Sequence, residues 1–414
     1  MDEAALHELL SGRRHDFGAK LLRGGLHLAS WGYGAAMSLR NMAYDRAWLR
    51  TSRVDVPVIS LGNITTGGTG KTPLAAWLAN WLTEAGRTPG LLSRGYRSLG
   101  KAASLVVRED SVGNDEKLVL DRLCPGVPHL QQPDRVSAAR RLVSEYGCNT
   151  LILDDGFQHR RLHRDLDLVL IDVLQPWGYG HLLPRGLLRE PLSALRRADL
   201  VLLTRADQIS PEQRGLLRDQ LARVRGTDEC VEIAFAPRRL IGLHGETLPL
   251  EAVRERTAFA FCGIGNPQGF ARTVSSLERG PGRSDSVVRG SPDPAQATRF
   301  SESVGDEEGR EEPFGQSPVR GQKTRAQQAL TDRLRVFPDH HHYADRDLAA
   351  VAEAARQAGA EIVLTTLKDF VKLRSAAWHG PPLYAVEVGV EFLAGRDLLE
   401  TRLLHLHDHR QRAA

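Results

Sequence analysis

The segment from Val56 to Gly86, VPVISLGNITTGGTGKTPLAAWLANWLTEAG, constrains the fold of this chain more than any other. An apolar, β-rich run leads into Thr65-Thr66-Gly67-Gly68-Thr69-Gly70-Lys71-Thr72, and a stretch with helical periodicity follows at once. Strand, glycine-rich loop and helix in that order match the phosphate-loop pattern G-x-x-x-x-G-K-[ST], with Thr65 at the first glycine position and the remainder intact. Glycines let successive backbone N–H groups converge on a β-phosphate. Lys71 is then placed to bridge β- and γ-oxygens, and the Thr72 hydroxyl to ligate Mg²⁺. Pro73 falls in the first helical turn, where a missing N–H costs nothing and the helix dipole favours an anion. Leu74, Leu78, Trp81 and Leu82 repeat at helical spacing before Gly86 ends the helix. A ligand-free glycine-rich turn is the alternative, and it leaves this strand-to-helix context unexplained. Partition ATPases place a second lysine before the Gly-Gly pair; Thr66 stands there, which argues against that subclass.

A phosphate loop of this kind needs an acidic partner at the end of a buried strand. NTLILDDGFQHRRL supplies one, with Leu151 to Leu153 as the strand and Asp154 and Asp155 at its carboxyl end. Two adjacent carboxylates there are costly unless a cation compensates. LDLVLID and ADLVLLTRAD are further buried runs. Alternation of such runs with helical stretches predicts a parallel sheet with helices on both faces. The end of the last run, Leu202 to Asp207, is similar to the base-contacting loops of nucleotide hydrolases, with Arg205 in place of their lysine.

Near Glu232 the rhythm restarts with VEIAFAPRRLIGL, TAFAFCGIG, EIVLTTLKD and LYAVEVGVEF, a smaller second α/β lobe. The stretch from Arg279 to Asp332 interrupts it: 54 residues hold only seven large apolar side chains, too few to offset the entropy of ordering. Upstream of the loop, sixteen uncharged residues lie between Arg23 and Arg40. As a helix they cover about 24 Å, short of the roughly 30 Å hydrocarbon core. Trp31 and Tyr33 with basic flanks describe a helix lying in the headgroup plane, or one docked against the protein core.

The net charge of +4 fits a chain that meets anions, and fits an ordinary solvated surface equally well. Cys124, Cys148, Cys230 and Cys262 stand apart, with neither a metal nor a disulfide spacing. In VFPDHHHY, Asp339, His340, His341 and His342 are adjacent, and consecutive histidines cannot all face one ion. One histidine buttressed by a carboxylate is the better reading, since an alcohol attacking a γ-phosphoryl group benefits from proton removal.

GNITTGGTGKTP, SRGY, DDGFQHRRL, LLPRGLLREP, GIGNP, FPDHH and TTLKDFVKL, in that order after an apolar, basic-flanked N-terminus, resemble the tetraacyldisaccharide 4'-kinase family. The resemblance runs from about Phe17 to about Phe392, outside the insertion. It implies ATP- and Mg²⁺-dependent phosphorylation of the 4'-hydroxyl of a lipid A disaccharide 1-phosphate precursor at the cytoplasmic face of the bacterial inner membrane. By that resemblance Thr65 to Thr72 hold ATP, while Thr72, Asp154, Asp155 and Glu190 of LLREP serve the metal. Asp115 of VGNDEKLVL orients and charges His340, which takes the proton, with His341 as a competitor.

The expected fold is therefore α/β: a P-loop NTPase parallel sheet with helices on both faces, a smaller α/β lobe and an N-terminal membrane-associated helix. The expected organisation is an interfacial region over 1–50, the kinase core over 51–230, the second lobe over 231–278 and 333–400, a disordered insertion over 279–332 and a tail over 401–414. An anionic membrane surface is the expected partner besides the lipid; no nucleic acid is expected, and a monomer is favoured. Deleting Met1 to Asn41 is expected to spare ATP binding and lower turnover on bilayers. A P-loop GTPase or metallochaperone, with Arg205 reading guanine and the histidines delivering metal, is the alternative; a catalytically retired membrane scaffold is a further one.

Overall fold

The computed structural model describes residues 3–95, 114–254, 256–279, 333–339, 341–373 and 378–411. Three sequence expectations fall wholly or largely outside these: the 279–332 insertion, Tyr96 of SRGY, and His340. The chain divides into two compact units. One takes in residues up to Phe235 and from Val390 onward, the other the described parts of Ala236–Val288 and Phe300–Gly389.

The first unit opens with two helices, α1 (Glu3–Leu10) and α2 (Phe17–Asp45). Then follow β1 (Val58–Asn63), α3 (Lys71–Glu84), β2 (Pro89–Ser93), α4 (Asp115–Leu123), β3 (His129–Gln131), α5 (Arg135–Tyr146) and β4 (Thr150–Asp154). After these come β5 (Leu166–Asp172), β6 (Leu200–Thr204), α6 (Pro211–Arg225) and β7 (Cys230–Gly242). The strands pair in parallel in the order β7-β6-β5-β1-β4-β2-β3. Every residue of β1, β2, β4 and β6 is buried, as the continuous apolar runs require of strands covered on both faces.

Strand β1 lies between β4 and β5, and the chain crosses from one side of β1 to the other on passing from β4 to β5. That switch point opens a crevice at the carboxyl ends of the strands. Register sets what lines it: Leu61 pairs with Asp154 and Asn63 with Leu170, which brings the end of β4 level with the end of β1. Helix α3 packs Leu74, Ala75, Leu78, Ala79 and Leu82 onto this sheet, and holds the loop before it at the crevice.

The described residues of 401–414 form no tail. Arg396–Gln411 is a helix whose Leu399 and Leu403 are buried in the same core as α3, because burying them outweighs leaving a polar terminus free. Residues from Val390 onward likewise belong with the first unit, since the chain passes between units within the strand Leu383–Ala394.

The second unit holds β8 (Thr247–Leu248), β9 (Ala258–Cys262), α7 (Pro267–Arg279) and β10 (Leu334–Val336). Parallel pairing runs β10, β9, then Ile362–Thr366, then the strand beginning at Leu383. CGIGNP is the turn from β9 into α7. The four cysteines are free and buried.

Candidate active site

The glycine-rich loop is built to leave its donors open. Gly67 and Gly70 have φ of 119° and 86°, a left-handed backbone that glycine adopts without a Cβ penalty. A Cβ on Gly70 would also lie 2.0 Å from the Phe235 ring. Gly70 is the N-cap of α3 and provides no side-chain cap, so the first-turn N–H groups are left for an anion. Opposite the loop runs the LLREP segment: Thr66 N–H donates to the Leu187 carbonyl at 2.8 Å and Arg189 N–H to the Ile64 carbonyl at 2.7 Å. Thr65 and Leu188 form an antiparallel bridge. These bonds place two motifs more than a hundred residues apart side by side.

Lys71 lies in the crevice, its Nζ donating to Asn63 Oδ1 at 3.2 Å and standing 3.5 Å from Asp155 Oδ1. Arg189 clasps both Asp155 oxygens at 2.9 Å. Burial alone would raise the Asp155 pKa, and the charges of Lys71 and Arg189 outweigh it, holding this carboxyl below the usual range. Asp155 adopts φ 51°, a left-handed backbone that few residues other than glycine take, and its N–H donates to Asp154 Oδ1 at 2.9 Å. Asp154 differs: burial, then the charges of Glu116 and Asp155, push its pKa up to about 7 against the pull of Lys71. Adjacent carboxyls thus hold opposite protonation tendencies, because only Asp155 has two cations in contact.

Glu190 is wholly buried. Its Oε2 accepts from Asn41 Nδ2 at 2.7 Å and from Arg197 at 2.8 Å, while Oε1 has no hydrogen-bond partner among the described residues. An oxygen stripped of water and left unpaired costs roughly 1–3 kcal/mol or more, so it fits a centre that receives a cation or donor in the working complex. Among the described residues no three carboxylate, histidine or cysteine groups converge closely enough to hold a metal ion. Asp154, Asp155 and Glu190 are each in the first unit, Asp155 ion-paired and Glu190 held by Arg197. Oxygen donors of this kind, with the Thr72 hydroxyl, match the hard-ligand preference of Mg²⁺.

Asp115 is the first residue of α4 and is buried. Asn114 of the VGNDE stretch is that helix's N-cap, its side chain accepting from Lys117 N–H at 3.0 Å. Gln131 donates to Asn114 Oδ1 at 2.7 Å and to Ser93 Oγ at 3.0 Å, which fixes the cap against the ends of β2 and β3. Asp115 therefore begins the helix, where the dipole favours its charge.

In the second unit, His341 bonds Asp347 at 3.1 Å and stacks on Phe337 at 4.7 Å. Asp347 also caps the helix Asp345–Gln357, so His341 is tied into a helix start. Asp339 pairs with Lys368 of TTLKD at 3.1 Å. Asp369 of the same motif, fully buried, accepts from Gly263 N–H, Thr366 Oγ1 and Lys372 Nζ at 2.7–2.9 Å and joins it to GIGNP.

Asn63, Glu116, Arg189 and Asn41 were missed as site residues by sequence reasoning. The first three adjoin motif residues, and nothing local marks Asn41. Arg205 of LLTRAD is paired with Asp172 and donates to the Gly68 carbonyl at 2.8 Å, bracing the phosphate loop instead of facing a base.

A family model described as tetraacyldisaccharide-1-P 4'-kinase matches residues 22–284 and 321–407. The tetraacyldisaccharide 4'-kinase of Anaeromyxobacter dehalogenans (strain 2CP-C) is 39% identical over 389 residues, 91% of this chain and 89% of that one. The kinase of the same name from Syntrophus aciditrophicus (strain SB) is 36% identical over 362 residues, 84% and 83% of the two chains. Among solved structures, the LpxK of Aquifex aeolicus in complex with ATP aligns at a TM-score of 0.64 and 25% identity, covering 93% of this chain and 99% of that one. With a phosphate loop facing two strand-end carboxylates and an LLREP segment bonded along it, this chain belongs to the tetraacyldisaccharide-1-P 4'-kinase family.

Proposed function

We propose that this chain transfers the γ-phosphate of ATP to the 4'-hydroxyl of a tetraacylated glucosamine disaccharide 1-phosphate in lipid A biosynthesis, working as a peripheral enzyme at the cytoplasmic face of the inner membrane. One observation carries the reading: Lys71 stands between Asn63 and Asp155 at the mouth of an uncapped helix, the geometry that a nucleotide triphosphate requires. Thr65 to Thr72 would hold the phosphates through backbone N–H groups. Thr72, Asp154, Asp155 and Glu190 would hold Mg²⁺, which supplies positive charge to offset what develops on the transferring group. Arg189 keeps Asp155 ionised and oriented for that role. Asp115 would orient and charge His340, and His340 would accept the proton of the 4'-hydroxyl. His341, held by Asp347, is a carboxylate-buttressed histidine among the described residues, so His341→Ala is run beside His340→Ala to decide between the two. The GTPase alternative loses its guanine reader, because Arg205 braces the loop.

Helix α2 gives membrane access. At about 100° per residue, Phe17, Leu21, Leu28, Trp31 and Leu39 form one stripe, and Phe17, Leu28 and Trp31 are 82%, 72% and 71% exposed. An exposed apolar stripe with Lys20 beside it suits an anionic headgroup layer. No helix among the described residues is long and apolar enough to cross a membrane.

Radiolabelled γ-phosphate transfer from ATP to the lipid in mixed micelles tests the reaction. His340→Ala is expected to lower the rate by about 10²–10⁴-fold. The double variant Leu28→Ser/Trp31→Ser is expected to retain micelle turnover, lose vesicle flotation and lose most turnover on bilayers. These point changes are a sharper test than deleting Met1 to Asn41, which also removes contacts to Arg189 and Glu190. No transfer with ATP binding retained would refute the kinase reading. Equal turnover of the double variant on both substrate forms would refute the membrane one.

A further inference from the structure

Helix α2 has two faces with different business. The stripe from Phe17 to Leu39 looks outward. Ala19, Ser30, Tyr33 and Asn41 cluster about 180° away around the helix, and Ala19 and Ser30 are buried. From this inner face Ser30 Oγ donates to the Leu182 carbonyl at 2.8 Å and accepts from Arg185 N–H at 3.0 Å. Tyr33 Oη donates to the Arg189 carbonyl at 2.8 Å. Asn41 Nδ2 donates to Glu190 Oε2 at 2.7 Å, and Arg160 returns a bond to the Asn41 carbonyl at 3.0 Å. The inner face therefore reaches both the LLREP and the DDGFQHRR segments.

We infer that Asn41 is a positioning residue for Glu190, so that the membrane-facing helix holds part of the metal-binding centre from its opposite side. The inference rests on the assignment of Glu190 to the metal. Rotation of a glutamate carboxylate about its last torsion is nearly free, so one donor alone does not fix which oxygen points where. Arg197 is one donor on Oε2, itself stacked over the Phe157 ring at 4.5 Å. Asn41 is the second, arriving from a different element. Two donors on a single oxygen hold it and present the other. That other oxygen, Oε1, is buried and unpartnered among the described residues, and so is Asn41 Oδ1. Two dry acceptor oxygens on bonded side chains are an unfavourable pair until a cation, or water bound to one, comes between or beside them. A mere anchor for the helix would need neither.

The test uses the full chain with Mn²⁺ as probe. Mn²⁺ binding is measured by electron paramagnetic resonance in the presence of a non-hydrolysable ATP analogue, beside the thermal midpoint and the kcat and KM of transfer in micelles. Asn41→Ala is expected to weaken Mn²⁺ binding and lower kcat, each by roughly 10–100-fold, the effect of removing a group that orients a metal ligand. Tyr33→Phe removes another anchor of the same helix without touching Glu190, and is expected to leave Mn²⁺ affinity within about twofold of wild type. Asn41→Ser, too short to reach Oε2, replaces the alanine variant if that one does not fold. Unchanged Mn²⁺ affinity in the Asn41 variants, an equal loss in Tyr33→Phe, or no Mn²⁺ binding by the wild type would each overturn the inference. If the wild type binds Mn²⁺ but transfers no phosphate, the kinase reading fails and the Mn²⁺ comparison still decides the role of Asn41.

Discussion

Replacing Lys71 with alanine lowers phosphate transfer from ATP by about 10³-fold or more, while the protein stays folded. The ammonium stands at the open end of the crevice, between Asn63 Oδ1 and Asp155, where β- and γ-oxygens would accumulate charge. A fixed cation there helps most in the transition state, because no solvent must reorganise to meet the new charge. The change has a second effect. Lys71 is the strongest of the charges holding the Asp155 pKa down against burial, so its removal lets that carboxyl drift upward with only Arg189 to oppose it. Single-turnover transfer with saturating ATP checks the first effect, and thermal unfolding checks the fold. A variant that keeps more than a tenth of wild-type turnover would show that Lys71 is not the phosphate cation.

Asp154→Asn reverses the usual sign of a charge deletion. It makes the ligand-free protein more stable than wild type at pH 8, while transfer falls by at least about 10²-fold. Burial, then Glu116 and Asp155, raise the Asp154 pKa to about 7, above the ordinary carboxyl value near 4. The folded chain therefore keeps this proton where the unfolded chain has lost it. The corresponding stability is fully present below about pH 4 and is lost as pH rises to about 7, some 4 kcal/mol at most. Asparagine mimics the neutral acid at every pH, so the difference between wild-type and variant stability should open across that window. Denaturant unfolding of both proteins from pH 4 to pH 8 measures it. Parallel profiles would show that Asp154 is charged in the ligand-free fold. Transfer falls in the variant because the carboxylate that would accept a metal is gone, and the wild type's instability at pH 8 is what a bound cation would relieve.

Much of the fold was legible in the sequence because its signals are local. Parallel strands covered on both faces read as unbroken apolar runs, and VISLGN, LILD and LVLLT are wholly buried strands. Backbone geometry of the phosphate loop depends on glycines a few residues apart, and those glycines adopt the left-handed backbone that the pattern requires. Asn114 is a local signal of the same kind, since an asparagine followed by Asp-Glu is a helix start. The helix Arg396–Gln411 runs into the stretch expected as a tail over 401–414, where a polar composition hides its buried leucines.

By itself the sequence determined the phosphate loop, the strand-end carboxylates and the alternating α/β order, all properties of residues within a turn or a strand of one another; it grouped Trp31 with Tyr33 on α2, and the structure separates them, with Tyr33 bonded on the inner face. Tertiary structure decided which cation each carboxylate meets, and hence why Asp155 is held down while Asp154 is pushed up. It also decided that Asn41 reaches Glu190 across 149 positions of chain and Tyr33 the Arg189 carbonyl across 156. A hydrogen bond joins two groups by distance in space, and periodicity along the chain records only which face is buried, not what it is buried against.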